Sequence, residues 1–229
     1  MTARMPVPPR SFVIGDVHGC AATLRRLVDT VLRPFPDDRI YLLGDLIDRG
    51  PDSKGVLDFI FELRGRGLSV GSVRGNHEQM CLQAGDDQYY LELWTANGGL
   101  ATLGSFQADG PGDIPHPYRE FLRSLPYYIL LDNFVIVHAG LNFDPPGPFD
   151  DTGAMLWTRS PHVDRQRIGG RRLICGHTPV PRSLLEASLA SSKILLDNGC
   201  VFGGHLEMGC LAALELGSMA LYYQENIDR

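Results

Sequence analysis

The chain has 229 residues, 44% apolar and 21% charged, with a formal charge of −6, which suits one water-soluble globular domain spanning the whole chain. That acidic balance argues against general binding to nucleic acid or anionic membranes, both of which favour basic surfaces. Five cysteines without C-x-x-C spacing argue against a disulfide framework or structural zinc site and point to a reducing cytoplasm.

In chain order, residues 1–10 carry three prolines and no apolar core, so they read as a flexible terminus and not a signal peptide. Ser11–Ile14 reads as a first strand, and Ala21–Leu32 as a helix through Leu24, Leu27, Val28, Val31 and Leu32. Arg39–Leu43 is a second strand and Asp52–Leu63 a second helix, with Asp52 or Ser53 as its N-cap. Leu68–Val73 is a third strand. This spacing predicts successive βαβ units with a parallel sheet.

Glu78–Gln83 is expected to start a helix, Asn97-Gly98-Gly99 to be a turn, and residues 104–117 an exposed loop. Tyr118–Leu125 reads as a helix, followed by a hairpin of Tyr127–Leu131 and Phe134–Val137 around Asp132-Asn133. Runs at Arg172–Cys175, Ile194–Leu196, Cys210–Leu216 and Ala220–Tyr223 suggest a second, mostly antiparallel sheet. The expected class is α/β, bordering on α+β: a sandwich of two stacked mixed β-sheets flanked by helices. No stretch approaches the roughly 20 apolar residues of a membrane span.

Five short motifs punctuate this pattern: Gly15-Asp16-Val17-His18-Gly19, Gly44-Asp45-Leu46-Ile47-Asp48-Arg49-Gly50, Gly75-Asn76-His77-Glu78, His138-Ala139-Gly140 and Gly176-His177-Thr178. Strand ends are where α/β folds build sites, and Asp, Asn and His are metal-binding types. Together they offer Asp16, His18, Asp45, Asn76, His138 and His177 as ligands for two divalent ions about 3.5–4 Å apart, the arrangement of a two-metal phosphoesterase. Mixed nitrogen and oxygen donors suit Mn2+, Fe or Zn2+ better than Ca2+. A phosphate carrying about −1.5 to −2 needs further positive charge, which Arg49, Arg74 and Arg159 supply beside the motifs. His77 is expected to protonate the leaving oxygen, with Asp48 orienting it.

The five motifs, in this order, resemble the phosphoprotein phosphatase family of metallophosphoesterases, particularly its small bacterial and phage members, from Ser11 to about Leu216. The resemblance implies that family's sandwich fold, with Asp16 and His18 on one metal, Asp45 bridging, and Asn76, His138 and His177 on the other. It implies an Asp48–His77 catalytic pair and phosphate-binding roles for Arg49, Arg74 and Arg159. It also implies direct attack by a hydroxide bridging two divalent ions, Mn2+ foremost, with Fe, Zn2+ or Ni2+ as alternatives. Asp197-Asn198-Gly199 stands where small members often show Asp-Thr-Gly.

The expected substrate is phosphoserine or phosphothreonine in a protein or peptide, hydrolysed by a cytoplasmic monomer with no nucleic-acid or membrane partner. The alternative is a dinucleoside polyphosphate such as diadenosine tetraphosphate. In that branch the family pattern usually lacks Asp48 and has Asp where Glu78 stands, so both residues lean toward the protein substrate. A phosphopeptide-binding module without catalysis is a third reading, opposed by the intact His77 and Asp48. Trp94, Trp157 and Cys20 read as packing, and His116, His162 and His205 as surface residues.

Overall fold

The computed structural model describes residues 8–144, 147–204 and 206–228. The expected flexible segment therefore lies outside the described residues over 1–7, as does His205. Arg10, at the end of that segment, is not loose: its backbone N–H and its guanidinium donate to Asp38 at 2.7 and 2.6 Å.

One sheet has five strands in the order β3-β2-β1-β8-β9: β1 (Ser11–Ile14), β2 (Arg39–Leu42), β3 (Ser69–Ser72), β8 (Cys210–Glu215) and β9 (Leu221–Glu225). Its first three strands are parallel, as the βαβ spacing requires. The second sheet has the order β4-β5-β6-β7: β4 (Tyr128–Leu130), β5 (Phe134–Val137), β6 (Arg172–Cys175) and β7 (Lys193–Leu195). Only β4 is antiparallel there; β5, β6 and β7 run parallel. The expectation of a mostly antiparallel second sheet is therefore wrong. Its last two supposed strands, β8 and β9, join the first sheet instead, with β8 antiparallel to β1. The architecture of two stacked mixed sheets flanked by helices stands.

Alternation along the strands sorts side chains into layers. Val13, Leu43 and Val73 meet Ile136, Ile174 and Ile194 between the sheets. Phe12, Ile14 and Ile40 face the opposite way, onto α1 (Ala21–Arg26) and α2 (Ser53–Gly65). The helix α1 continues through a wider turn over Leu27–Leu32. Asp52 caps α2 by accepting from the Gly55 N–H at 2.8 Å. On α2, Val56, Leu57, Phe59, Ile60 and Leu63 are buried, the one-sided spacing of a surface helix. Outside the second sheet, Val135, Val137 and Leu173 pack against Met155 of α7 (Thr152–Trp157) and Ile168.

The middle of the chain departs from expectation. It folds as α3 (Asn76–Ala84), α4 (Gln88–Trp94), α5 (Leu100–Phe106) and α6 (His116–Ser124). Asn97-Gly98-Gly99 is not a free turn but a kinked helical link between α4 and α5. Gly98, at φ 109°, absorbs the kink, and a Cβ there would lie 2.8 Å from the Arg49 side chain. Residues 104–117 form a loop only between α5 and α6, and Ile114 within it is buried. The last helix is α8 (Arg182–Ser188).

Candidate metal centre and proton donor

Every candidate ligand sits just past the C-terminal end of a parallel strand: Asp16 and His18 after β1, Asp45 after β2, Asn76 after β3, His138 after β5 and His177 after β6. In stacked α/β sheets this is where loops converge and sites form. Holding them there strains the backbone. Among the described residues nine non-glycine residues have positive φ, and five of them are His18, Asp45, Asp48, Arg49 and His177.

Asp45 lies at the centre. Its Oδ1 is 3.4 Å from His138 Nε2, and its Oδ2 is 3.5 Å from His18 Nε2. It belongs to both clusters of metal-ligand spacing, His18–Asp45–His77 and Asp45–His138–His177. Burial raises its pKa, but His138, His77 and His18 outweigh that and hold it below the ordinary carboxylate range.

The histidine tautomers are set by backbone carbonyls. His138 Nδ1 donates to Leu43 O at 2.7 Å, and His18 Nδ1 to Ile47 O at 3.1 Å. Burial pushes both pKa values down, His18 to about 3, so each ring is neutral and presents an Nε2 lone pair. His138 Nε2 then faces Asn76 Oδ1 at 2.9 Å, His177 Nδ1 at 3.2 Å and Asp45 Oδ1. His177 Nδ1 is 3.0 Å from Asn76 Oδ1, and burial lowers that ring's pKa to about 3.

Four lone-pair atoms thus converge where at most one proton, on His177 Nδ1, is available. In addition, the buried Asp16 Oδ1 has no hydrogen-bond partner among the described residues, and neither has His177 Nε2, which carries the ring proton whenever Nδ1 presents its lone pair. Buried acceptors without donors are costly unless a cation satisfies them, and the donor set fits a pair of divalent ions. Asp16 itself is pushed well up by burial, Asp197 and Asp45. Its Oδ2 accepts from the His177 N–H at 2.8 Å, tying the first motif to the fifth.

His77 stands beside this cluster. Its Nδ1 is 2.7 Å from Asp48 Oδ2, and both side chains are buried. Burial alone would lower the His77 pKa, but Asp45 and Asp48 reverse this and raise it. Asp48 is held in turn by Trp94 Nε1 at 2.8 Å and Thr102 Oγ1 at 2.6 Å. Burial draws its pKa upward against those donors. Trp94 and Thr102 escaped the sequence reading, which took Trp94 as packing alone. They reach Asp48 from α4 and α5, and no local pattern marks them.

Glu78 is likewise not a substrate-facing residue. It is fully buried, and its carboxylate accepts from the N–H groups of Asp45 (2.9 Å), Leu46 (2.7 Å), Gly75 (2.7 Å) and Ile47 (3.4 Å). It fastens the second motif to the start of α3.

The arginines divide. Arg49 Nη1 donates to His18 Nε2 at 2.8 Å. Arg159 is exposed, close enough to depress the His177 pKa, and has no hydrogen bond or ion pair among the described residues. Arg74 is engaged elsewhere: it donates to Gln79, Tyr127 and the Arg123 carbonyl and stacks on the Tyr127 ring. Its guanidinium meets none of the other candidate residues. Trp157 lies edge-on to His177 with ring centroids 6.0 Å apart, so it borders the centre as well as packing. His116 and His162 are exposed, and all five cysteines are buried and free.

The sequence profile of the calcineurin-like phosphoesterases matches residues 9–206, which take in all five motifs. The chain is a calcineurin-like phosphoesterase. It is 31% identical over 214 residues to serine/threonine-protein phosphatase 1 of Salmonella typhimurium, covering 86% of this chain and 89% of that one. It is 28% identical over 224 residues to the asymmetrical bis(5'-nucleosyl)-tetraphosphatase PrpE of Oceanobacillus iheyensis, covering 85% of each. These relatives fit the small phosphoprotein-phosphatase type that the motifs resemble. A protein serine/threonine phosphatase from Saccharomyces cerevisiae shares the fold, with a TM-score of 0.65 at 14% identity over 96% of this chain and 81% of that one. Calcineurin-like phosphoesterases use a dinuclear metal centre, and the two His/Asp clusters of this phosphoesterase suit one. No helix among the described residues is long and apolar enough to cross a membrane.

Proposed function

We propose that this phosphoesterase removes phosphate from phosphoserine or phosphothreonine in proteins, with two divalent ions, Mn2+ foremost, held by Asp16, His18, Asp45, Asn76, His138 and His177. The observation that carries the reading is the buried His77–Asp48 pair. A serine alkoxide is nearly as basic as hydroxide, whose parent water has a pKa of about 15.7. A nucleotide phosphate leaves as an anion with a pKa of about 6. Only the first gains greatly from a proton delivered in the transition state. A histidine whose pKa is raised by two carboxylates, one of them fixed by Trp94 and Thr102, is suited to deliver it.

The ions, when bound, polarise the phosphoryl oxygens and acidify water for in-line attack. The chain does the rest. Arg49 and Arg159 offer guanidinium groups to the phosphate oxygens, and Asp48 orients His77 so that Nε2 points toward Asp45 and the reacting centre. The likeness to the Salmonella serine/threonine-protein phosphatase supports a protein substrate. The likeness to PrpE supports a second reading, hydrolysis of dinucleoside polyphosphates.

Replacing His77 with Asn should cut turnover of a phosphoserine peptide by about 10²–10⁴. The same change should affect an aryl phosphate far less, because a phenol leaves more easily, and bound metal should stay at the wild-type level. His77 also has ligand spacing to His18 and Asp45. Loss of metal in the variant, or equal loss on both substrates, would refute the acid role.

A further inference from the structure

Beside the candidate centre lies a cavity of about 420 Å³. One wall is built from the fourth and fifth motifs themselves: Ala139 follows His138, and Gly176 and Thr178 flank His177. The lining also includes the apolar side chains of Val180, Leu184 of α8 and Leu195 of β7. Leu184 remains 48% exposed although it faces this space. The lining includes Arg159, the exposed phosphate candidate that has no hydrogen bond or ion pair among the described residues.

The cavity's charges are of one sign in a chain that is acidic overall. Arg159 and Lys193 line it, with no carboxylate. The chain has two lysines, and the other, Lys54, is paired with Asp58 at 2.6 Å. Lys193 has no carboxylate partner among the described residues; its Nζ donates to the Ser160 carbonyl at 2.8 Å. It lies against the His138-Ala139-Gly140 motif, since a Cβ on Gly140 would be 3.3 Å from Nζ. A partly buried lysine lining a largely apolar cavity, next to the candidate phosphate site, complements a side chain with a methylene stem and an anionic end.

Resting on the phosphoprotein reading above, we propose that this cavity receives a residue flanking the phosphorylated one, and that Lys193 selects a carboxylate there. Val180, Leu184 and Leu195 cover the stem of the incoming side chain. Arg159, which lines the cavity and is near enough to His177 to act on its charge, would hold the phosphate of the same substrate.

The test uses phosphoserine peptides that differ only by Glu or Gln at each flanking position in turn. For wild-type protein, kcat/KM should favour Glu over Gln about fivefold at one position. Lys193→Met, which keeps the aliphatic stem, should bring that ratio to about one, and Lys193→Arg should retain it. A melting temperature matching wild type excludes misfolding as the cause. A wild-type ratio near one at every position overturns the proposal without needing any variant, as does an unchanged ratio in Lys193→Met. Turnover of peptides without discrimination refutes the subsite alone, whereas no turnover of any phosphopeptide refutes the phosphoprotein reading with it.

Discussion

Replacing Glu78 with Gln isolates the role the structure gives this residue. Oε2 accepts from the N–H groups of Asp45 and Gly75, and Oε1 from those of Leu46 and Ile47. An amide has one acceptor oxygen, so either orientation turns an NH2 group toward two buried N–H donors. Each donor left without an acceptor costs about 1–3 kcal/mol, which sums to about 2–6 kcal/mol. Against a total stability of about 5–15 kcal/mol that is a large loss. At about 2–4 °C per kcal/mol for a chain of this size, a mid-range loss lowers Tm by about 8–16 °C. Because two of the donors belong to Asp45 and its neighbour, Mn2+ binding measured by calorimetry should weaken as well. A variant that melts within about 2 °C of wild type while changing its preference between phosphopeptide and dinucleotide would refute this reasoning. It would return Glu78 to the substrate-sorting role that its place in the motif suggested.

Other consequences are equally open to measurement. A Cβ on Gly176 would stand 1.9 Å from Asp16 Oδ1, so Gly176→Ala should displace that ligand and leave less metal per chain by elemental analysis; full metal content would show that the loop shifts freely. Burial raises the Asp38 pKa, but donors from Arg10 and Phe35 outweigh it and leave the group below its usual value. Its contribution is therefore present above the unfolded pKa of about 3.9 and lost as pH falls through the lower folded value. Urea unfolding of Asp38→Asn should show a deficit of about 1–3 kcal/mol at neutral pH that closes in strong acid, and a deficit that persists there would contradict the assignment.

The candidate ligands were legible because each lies in a short motif directly after an apolar run, and strand ends are where such loops meet. The structure brings Asn76, His138 and His177 within hydrogen-bonding distance of one another and sets Asp45 3.4 Å from His138, although the four are spread from position 45 to position 177 of the chain. Pairing of β8 was not legible. Cys210–Glu215 is buried along its whole length, so its pattern is the same in either sheet, and only long-range packing sends it to β1. The parallel run of β5 to β6 was hidden because its crossover carries just the short α7. Arg74 shows a different limit: adjacency to a motif does not decide where a long side chain points, and Tyr127 and Gln79 hold it away. Trp94 and Thr102 depend on the Gly98 kink that brings α5 back toward Asp48, which sequence periodicity does not encode.

The central claim is that this centre serves an alkoxide leaving group on a protein. The direct measurement is kcat/KM of Mn2+-loaded protein on a phosphoserine or phosphothreonine peptide and on diadenosine tetraphosphate, side by side. The account predicts a strong preference for the peptide. A strong preference for the dinucleotide would contradict it, and would mean that His77 and Asp48 serve the cleavage of a phosphoanhydride instead.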